Sequence, residues 1–113
     1  MIMIPFEELM NNLVQKFNDK VKNSKELREQ IDGINKFIMI ITDKSSYIGN
    51  LKDSMLSNFT TGKIENPDIT LTADEETFIS LINREIGPMK AIVTKKLKID
   101  ANFEDLLLLK KFF

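Results

Sequence analysis

Apolar and polar positions along this chain follow two rhythms, and the changes between them mark out the elements. Phe6, Leu9, Met10, Leu13, Val14, Phe17 and Val21 recur at helical spacing, which predicts one amphipathic helix with a single apolar stripe. Pro5 suits the first turn of that helix, and Glu7 and Glu8 complement the positive end of its dipole. Ser24 can cap a second short helix running to Gln30, which shows Leu27 and Ile31 to the core and ends at Gly33. The rhythm then changes. Residues 37–42 are apolar and β-branched on both faces, as expected of a central strand. A polar turn over 43–46, a strand over 47–51, a turn over 52–54 and a strand over 55–59 complete a meander of three antiparallel strands, with residues 60–63 as loop.

Asn66-Pro67-Asp68 bars helix before Ile69-Thr70-Leu71-Thr72, whose alternation predicts a half-buried fourth strand. Thr72 and Asp74 both qualify as N-cap of the next helix, which carries Phe78, Leu81, Ile82 and Ile86 and stops at Gly87-Pro88, with Gly87 as a left-handed terminator. Pro88 can open a further short helix, reaching about Lys95, with Ala91, Ile92 and Val93 inward. Leu97, Ile99 and Ala101 alternate with Lys96, Lys98 and Asp100, a fifth strand whose charged face suits a sheet edge. Asn102 can cap a last helix with acids first and lysines last. Its Phe103, Leu106, Leu107, Leu108, Leu109, Phe112 and Phe113 cover more of the circumference than one sheet can meet, so a ligand, another subunit or neighbouring helices must meet the rest.

Composition narrows the function. At 113 residues the chain fits one domain, 1–113, and 42% apolar with 29% charged residues supports a packed core. A net charge of −1 with interspersed signs leaves no basic field for a phosphate backbone, so nucleic acid is not an expected partner. Without cysteine or histidine the chain lacks a thiolate nucleophile, the commonest general base and the commonest metal ligand; neither a cofactor nor a metal is expected. The carboxylate neighbours Glu75-Glu76 and Glu104-Asp105 do not face each other on a helix and are accounted for by the dipole, so the expectation is no enzyme and no catalytic residue. The opening Met1-Ile2-Met3-Ile4 is too short for a signal core, and no run reaches membrane-spanning length, which makes the cytoplasm the expected location.

The stretch Asp68-Ile-Thr-Leu-Thr, the acidic helix start Asp74-Glu75-Glu76 with Phe78, the Gly87-Pro88-Met-Lys-Ala91 break and Lys96-Leu-Lys-Ile-Asp-Ala-Asn102 resemble, in order and spacing, the sterol carrier protein type 2 family. The resemblance implies an α+β fold: a five-stranded, mostly antiparallel sheet with helices layered on one face and an apolar tunnel between them that holds lipid. On matching positions it implies a tunnel side drawn from Phe78, Leu81, Ile82, Ile92, Val93, Leu97, Ile99, Leu106, Leu107 and Leu109. The family commonly has glycine where this chain has Lys95, Ala101 and Glu104, which puts the turn before the fifth strand and the start of the last helix in question.

Two functional classes stay open. One is a lipid carrier taking a sterol-like, isoprenoid or fatty acyl ligand without chemical conversion, with transient membrane contact. The other is an interaction module with a filled core that forms a homodimer through the C-terminal helix.

Overall fold

A computed structural model describes residues 5–110, the last of them by its backbone. The chain order is α1 (Phe6–Asn23), α2 (Lys25–Ile31), β1 (Asn35–Ile41), β2 (Ser46–Lys52), β3 (Met55–Leu56), β4 (Thr60–Thr61), β5 (Ile69–Thr72), α3 (Glu75–Ile82), α4 (Pro88–Val93), β6 (Lys98–Ala101) and α5 (Phe103–Lys110). The part of the last helix expected at Phe112 and Phe113 lies outside the described residues.

The sheet runs β3-β2-β1-β5-β6, with β4 also pairing β2. As the two-sided apolar run implies, β1 is central. It pairs antiparallel with β2 and parallel with β5, the one parallel pairing among the described residues. Asp68 sets that parallel register: its amide donates to the Phe37 carbonyl at 3.0 Å, and its carboxylate accepts from the Phe37 amide at 2.8 Å. The charged strand β6 is an edge, as its lysine and aspartate suggested.

Register fixes which side chains share a face, because partners across a ladder point the same way. Ile38 and Ile40 of β1, Tyr47 and Leu51 of β2, Ile69 and Leu71 of β5, and Ile99 of β6 therefore stand together. Ile40 and Tyr47, with Ile38, Leu71 and Ile99 beside them, meet Phe6, Met10 and Val14 of α1, Phe78 of α3 and Ala91 of α4 in one buried cluster, while Val21, Ile31 and Leu51 form a second with Leu27 and Leu108. The helices thus layer on one face. Phe37, Met39, Ile41 and Ile48 occupy the other, where Phe37 is exposed and the rest half-buried.

Three expectations need correction. The third strand is not continuous over 55–59: it splits into β3 and β4, so the sheet has six strands where five were expected. Between the pairs Leu51↔Leu56 and Ile48↔Thr60, three residues of the edge oppose two of β2, a β-bulge. Side chains of α1 stabilise it. Asn18 both accepts from the Leu56 amide and donates to the Leu56 carbonyl, each at 2.9 Å, and Asn11 accepts from the Phe59 amide at 2.9 Å. Phe59 is thereby turned inward across Gly49.

The second correction concerns α3, which ends at Ile82 and does not run to Gly87. Arg84 takes the left-handed position (φ 59°), with Glu85 N–H bonded to Ser80 O and Arg84 N–H to Leu81 O, a Schellman ending. Gly87 instead precedes α4 in extended conformation. Third, Pro5 stands one residue outside α1, at the N-cap, and its carbonyl accepts from Leu9.

Candidate functional site

Helices α1, α3 and α4 all contribute buried residues to the covered face of the sheet, and the placement of α3 follows from its cap. Asp74, not Thr72, is the N-cap of α3: its carboxylate accepts from the Thr77 amide at 2.7 Å. Hydrogen bonds from the side chain and backbone of Thr77 hold the Asp74 carboxyl below its ordinary range, and the charge of Lys96 adds to this. Asp43, in the turn after β1, accepts from the Glu75 amide at 2.9 Å, and Lys44 lies 3.7 Å from Glu75. The helix start is therefore fastened to the β1–β2 turn, which aims Phe78 into the core and leaves Leu81 and Ile82 half-buried beside it.

Beyond α4 the chain turns through Lys95 in the left-handed conformation (φ 61°), with Lys96 N–H bonded to Ala91 O at 2.8 Å and Lys95 N–H to Ile92 O at 3.0 Å. A lysine, not a glycine, therefore bears the strain of the left-handed conformation in this turn. Glu104 sits regularly in the first turn of α5, whose start is capped by Asn102 accepting from the Asp105 amide at 2.8 Å.

Of the residues expected to line a tunnel, Phe78, Leu81, Ile82, Leu97 and Ile99 come together in the main cluster. Phe78 and Leu97 are buried; Leu81, Ile82 and Ile99 are half-buried. Ile92 and Val93 on α4 and Leu106 and Leu107 on α5 show exposed surface, and Leu109 is half-buried. Two aromatic neighbours of Phe78, Phe6 and Tyr47, were not singled out in sequence as site residues. Phe6 packs against Tyr47 at 5.7 Å and against Phe78 at 5.9 Å between ring centroids, in tilted contacts joining α1, β2 and α3. Strand register was the missing signal, since Tyr47 stands opposite Ile40 on the covered face.

Ile38 and Leu71 were also missed, and they join Ile99, which was expected. They sit on three neighbouring strands, all facing the helices, yet none is fully buried. Polar chemistry lies at the other end of the strands. A cleft of about 430 Å³ is lined by Asn66, Asp68, Thr70, Asp100, Asn102 and Asp105, among others. The Asp105 side chain there is only 4% exposed; one oxygen lies 3.4 Å from Lys36 Nζ, and the other is buried without a hydrogen-bond partner. Among the described residues no group of three or more acidic side chains gathers closely enough to hold a metal ion, and no helix is long and apolar enough to cross a membrane.

This architecture is similar to solved structures at low sequence identity. One is the sterol carrier protein domain 2 of Helicoverpa armigera, 20% identical, with a TM-score of 0.69 over 99% of this chain and 91% of that one. Another is sterol carrier protein 2 from Aedes aegypti in complex with palmitate, 13% identical, with a TM-score of 0.63 over 97% of this chain and 96% of that one. The fold is also similar to part of a stereoselective inverting sec-alkylsulfatase from Pseudomonas sp., 16% identical, with a TM-score of 0.57 over 69% of this chain; the match spans 13% of that enzyme's length. No curated protein matches the chain in sequence. The profile of the SCP-2 sterol transfer family matches residues 12–113. Since that match takes in all but the beginning of the chain, the chain belongs to the SCP-2 sterol transfer family.

Proposed function

We propose that the protein acts as a single sterol-carrier-like domain, in the cytoplasm, that holds an apolar ligand between sheet and helices without changing it chemically. The observation that supports this most is that Ile38, Leu71 and Ile99, apolar residues on the covered face of the sheet, pack against the main cluster yet keep accessible surface. Phe78, Leu81 and Ile82 form the facing wall. The driving force is transfer of alkyl groups from water. At about 0.8 kcal/mol per CH₂, a chain of roughly sixteen carbons gains on the order of 10 kcal/mol before the cost of association. A fatty acyl chain suits this wall, and the palmitate complex of the Aedes aegypti relative points the same way.

The test is a pair of measurements on one substitution. Native mass spectrometry of the purified protein should reveal bound lipid, and a fluorescent fatty acid should bind saturably. Ile99→Trp should fold and lose that binding, because the indole occupies the space the ligand needs. If the space is instead filled by protein atoms, Ile99→Trp overpacks it and loses about 1–3 kcal/mol of stability. That result, with no lipid in the wild type, would refute the carrier.

A second reading has its own observation. Phe103 is 73% exposed and Leu107 45% exposed on α5, an apolar surface suited to a second copy of the chain. Phe103→Ser with Leu107→Ser should then convert a dimer to a monomer by size-exclusion with light scattering; a monomeric wild type removes this reading.

A further inference from the structure

We infer that the outer side of α4 is a docking lobe for an anionic bilayer surface. The helix buries Ala91 completely, which turns Met89 and Val93 directly outward on the opposite side, one turn apart. They are 70% and 74% exposed. Such exposure of two large apolar side chains at one point is matched by the charge around them. Between Glu85 and Asp100 the chain carries Lys90, Lys95, Lys96 and Lys98 and no acidic residue, although its net charge is −1. Lys90 lies on α4 itself; Lys95 and Lys96 make the turn that ends it, and all three are exposed. None of the three belongs to an ion pair among the described residues, and Asp74 is the acid that Lys96 attracts. Lys98 is not part of the lobe, because its strand neighbours Leu97 and Ile99 face the helices and it projects from the other face of the sheet.

The occupant follows from size and sign. Two side chains are far too little for a stable protein interface, which needs about 800 Å² from each partner. A bilayer asks for less: isolated apolar prongs entering the headgroup boundary, with lysines reaching up to phosphates along their own apolar stems. Each lysine beside an anionic leaflet contributes roughly fivefold in partitioning, so three supply on the order of a hundredfold. The lobe also stands where a carrier would use it. Ala91 and Leu97 at its base belong to the cluster that includes Leu71 and Ile99, so a bilayer beneath α4 would lie against one wall of the proposed ligand space. This use rests on the carrier reading; the docking itself does not.

Flotation with vesicles separates the two. The wild-type protein should float with vesicles of phosphatidylcholine and phosphatidylglycerol in equal parts and remain behind with phosphatidylcholine alone. Met89→Ser with Val93→Ser, and separately Lys90→Gln, Lys95→Gln and Lys96→Gln together, should lose binding, the triple variant by on the order of a hundredfold. Both variants should keep the wild-type circular dichroism spectrum, and the triple lysine variant should also keep fatty acid binding, so that loss of docking is distinct from loss of the carrier site. A control of equal charge, Lys16→Gln, Lys20→Gln and Lys25→Gln, should float nearly as the wild type does. An equal loss in that control would reduce the effect to net charge and overturn the assignment. So would a wild type that ignores anionic vesicles yet is retained by immobilised polyglutamate, which would assign the lobe to an acidic protein.

Discussion

Replacing Gly49 by alanine tests how the edge of the sheet is held. A Cβ at this position would lie 2.7 Å from Cε1 of Phe59, 2.9 Å from Cζ and 3.0 Å from Cδ1. Ordinary carbon contacts fall at about 3.5–4.0 Å, so the ring would have to retreat by roughly 0.8 Å. It has little room, being buried in the main cluster with its backbone amide tied to Asn11. Overpacking of this kind costs about 1–3 kcal/mol. Against it, alanine loses less chain entropy than glycine on folding, a gain of roughly 0.5–1 kcal/mol. The expected net effect of Gly49→Ala is a loss of about 1–2 kcal/mol. Urea unfolding followed by circular dichroism should show this as a midpoint lowered by roughly 0.5–1 M at unchanged slope. In a Phe59→Leu background the methyl group meets no ring, and the same substitution should become neutral or stabilising by about 0.5 kcal/mol. Gly49→Ala as stable as the wild type in both backgrounds would refute the contact as a constraint.

Lys95→Gly should stabilise the protein by about 0.5–1 kcal/mol, because glycine removes the left-handed strain of roughly 1–2 kcal/mol and returns part of it as unfolded-state entropy; a thermal melt decides the sign. Asp74→Ala should cost about 1 kcal/mol through loss of the α3 cap, whereas Asp74→Asn should keep the cap. Because the folded state holds the Asp74 carboxyl below its usual value of 3.8, its charge contributes fully above that pH and is lost as pH falls through the lower folded-state value; Asp74→Asn should flatten the acid limb of a stability-versus-pH curve there. Lys36→Met should destabilise by about 2 kcal/mol by leaving the buried Asp105 carboxylate without its cation, and adding Asp105→Leu should recover most of the loss in urea titrations.

Elements announced by local chemistry were legible in the sequence. Ser24 and Asn102 cap helices as their positions implied, and the two-sided apolar run of β1 is the centre of the sheet. What escaped was whatever depends on distant partners or on unusual torsion. Asn11 and Asn18 read as polar positions on a helix, and nothing local says that they take backbone groups some forty residues away and break an edge strand in two. Arg84 in a left-handed ending carries no sequence mark, so Gly87, the favoured residue type, drew the expectation to itself. The turn at Asp53 and Ser54 was placed correctly but not its kind; both residues have positive φ, as in the type I′ turns that suit strand twist. At the candidate site, the apolar residues of α3 and β6 were legible from periodicity and resemblance, whereas the contributions of Phe6, Tyr47 and Ile38 required register.

Asn18 has a consequence beyond the bulge it helps to set. At Leu56 the amide and carbonyl point away from β2, toward the rim of the sheet, where an incoming strand from another molecule would hydrogen-bond. The side-chain amide of Asn18 offers one acceptor and one donor in the arrangement of a peptide group, so α1 fills the first rung of that ladder from within the same chain. The rim is thus closed to templated strand addition without a proline or a charge at that point. For a protein with exposed apolar surface on its helices, this separates contact that is reversible and side-chain mediated from the irreversible cross-β assembly that an open rim would invite at high concentration.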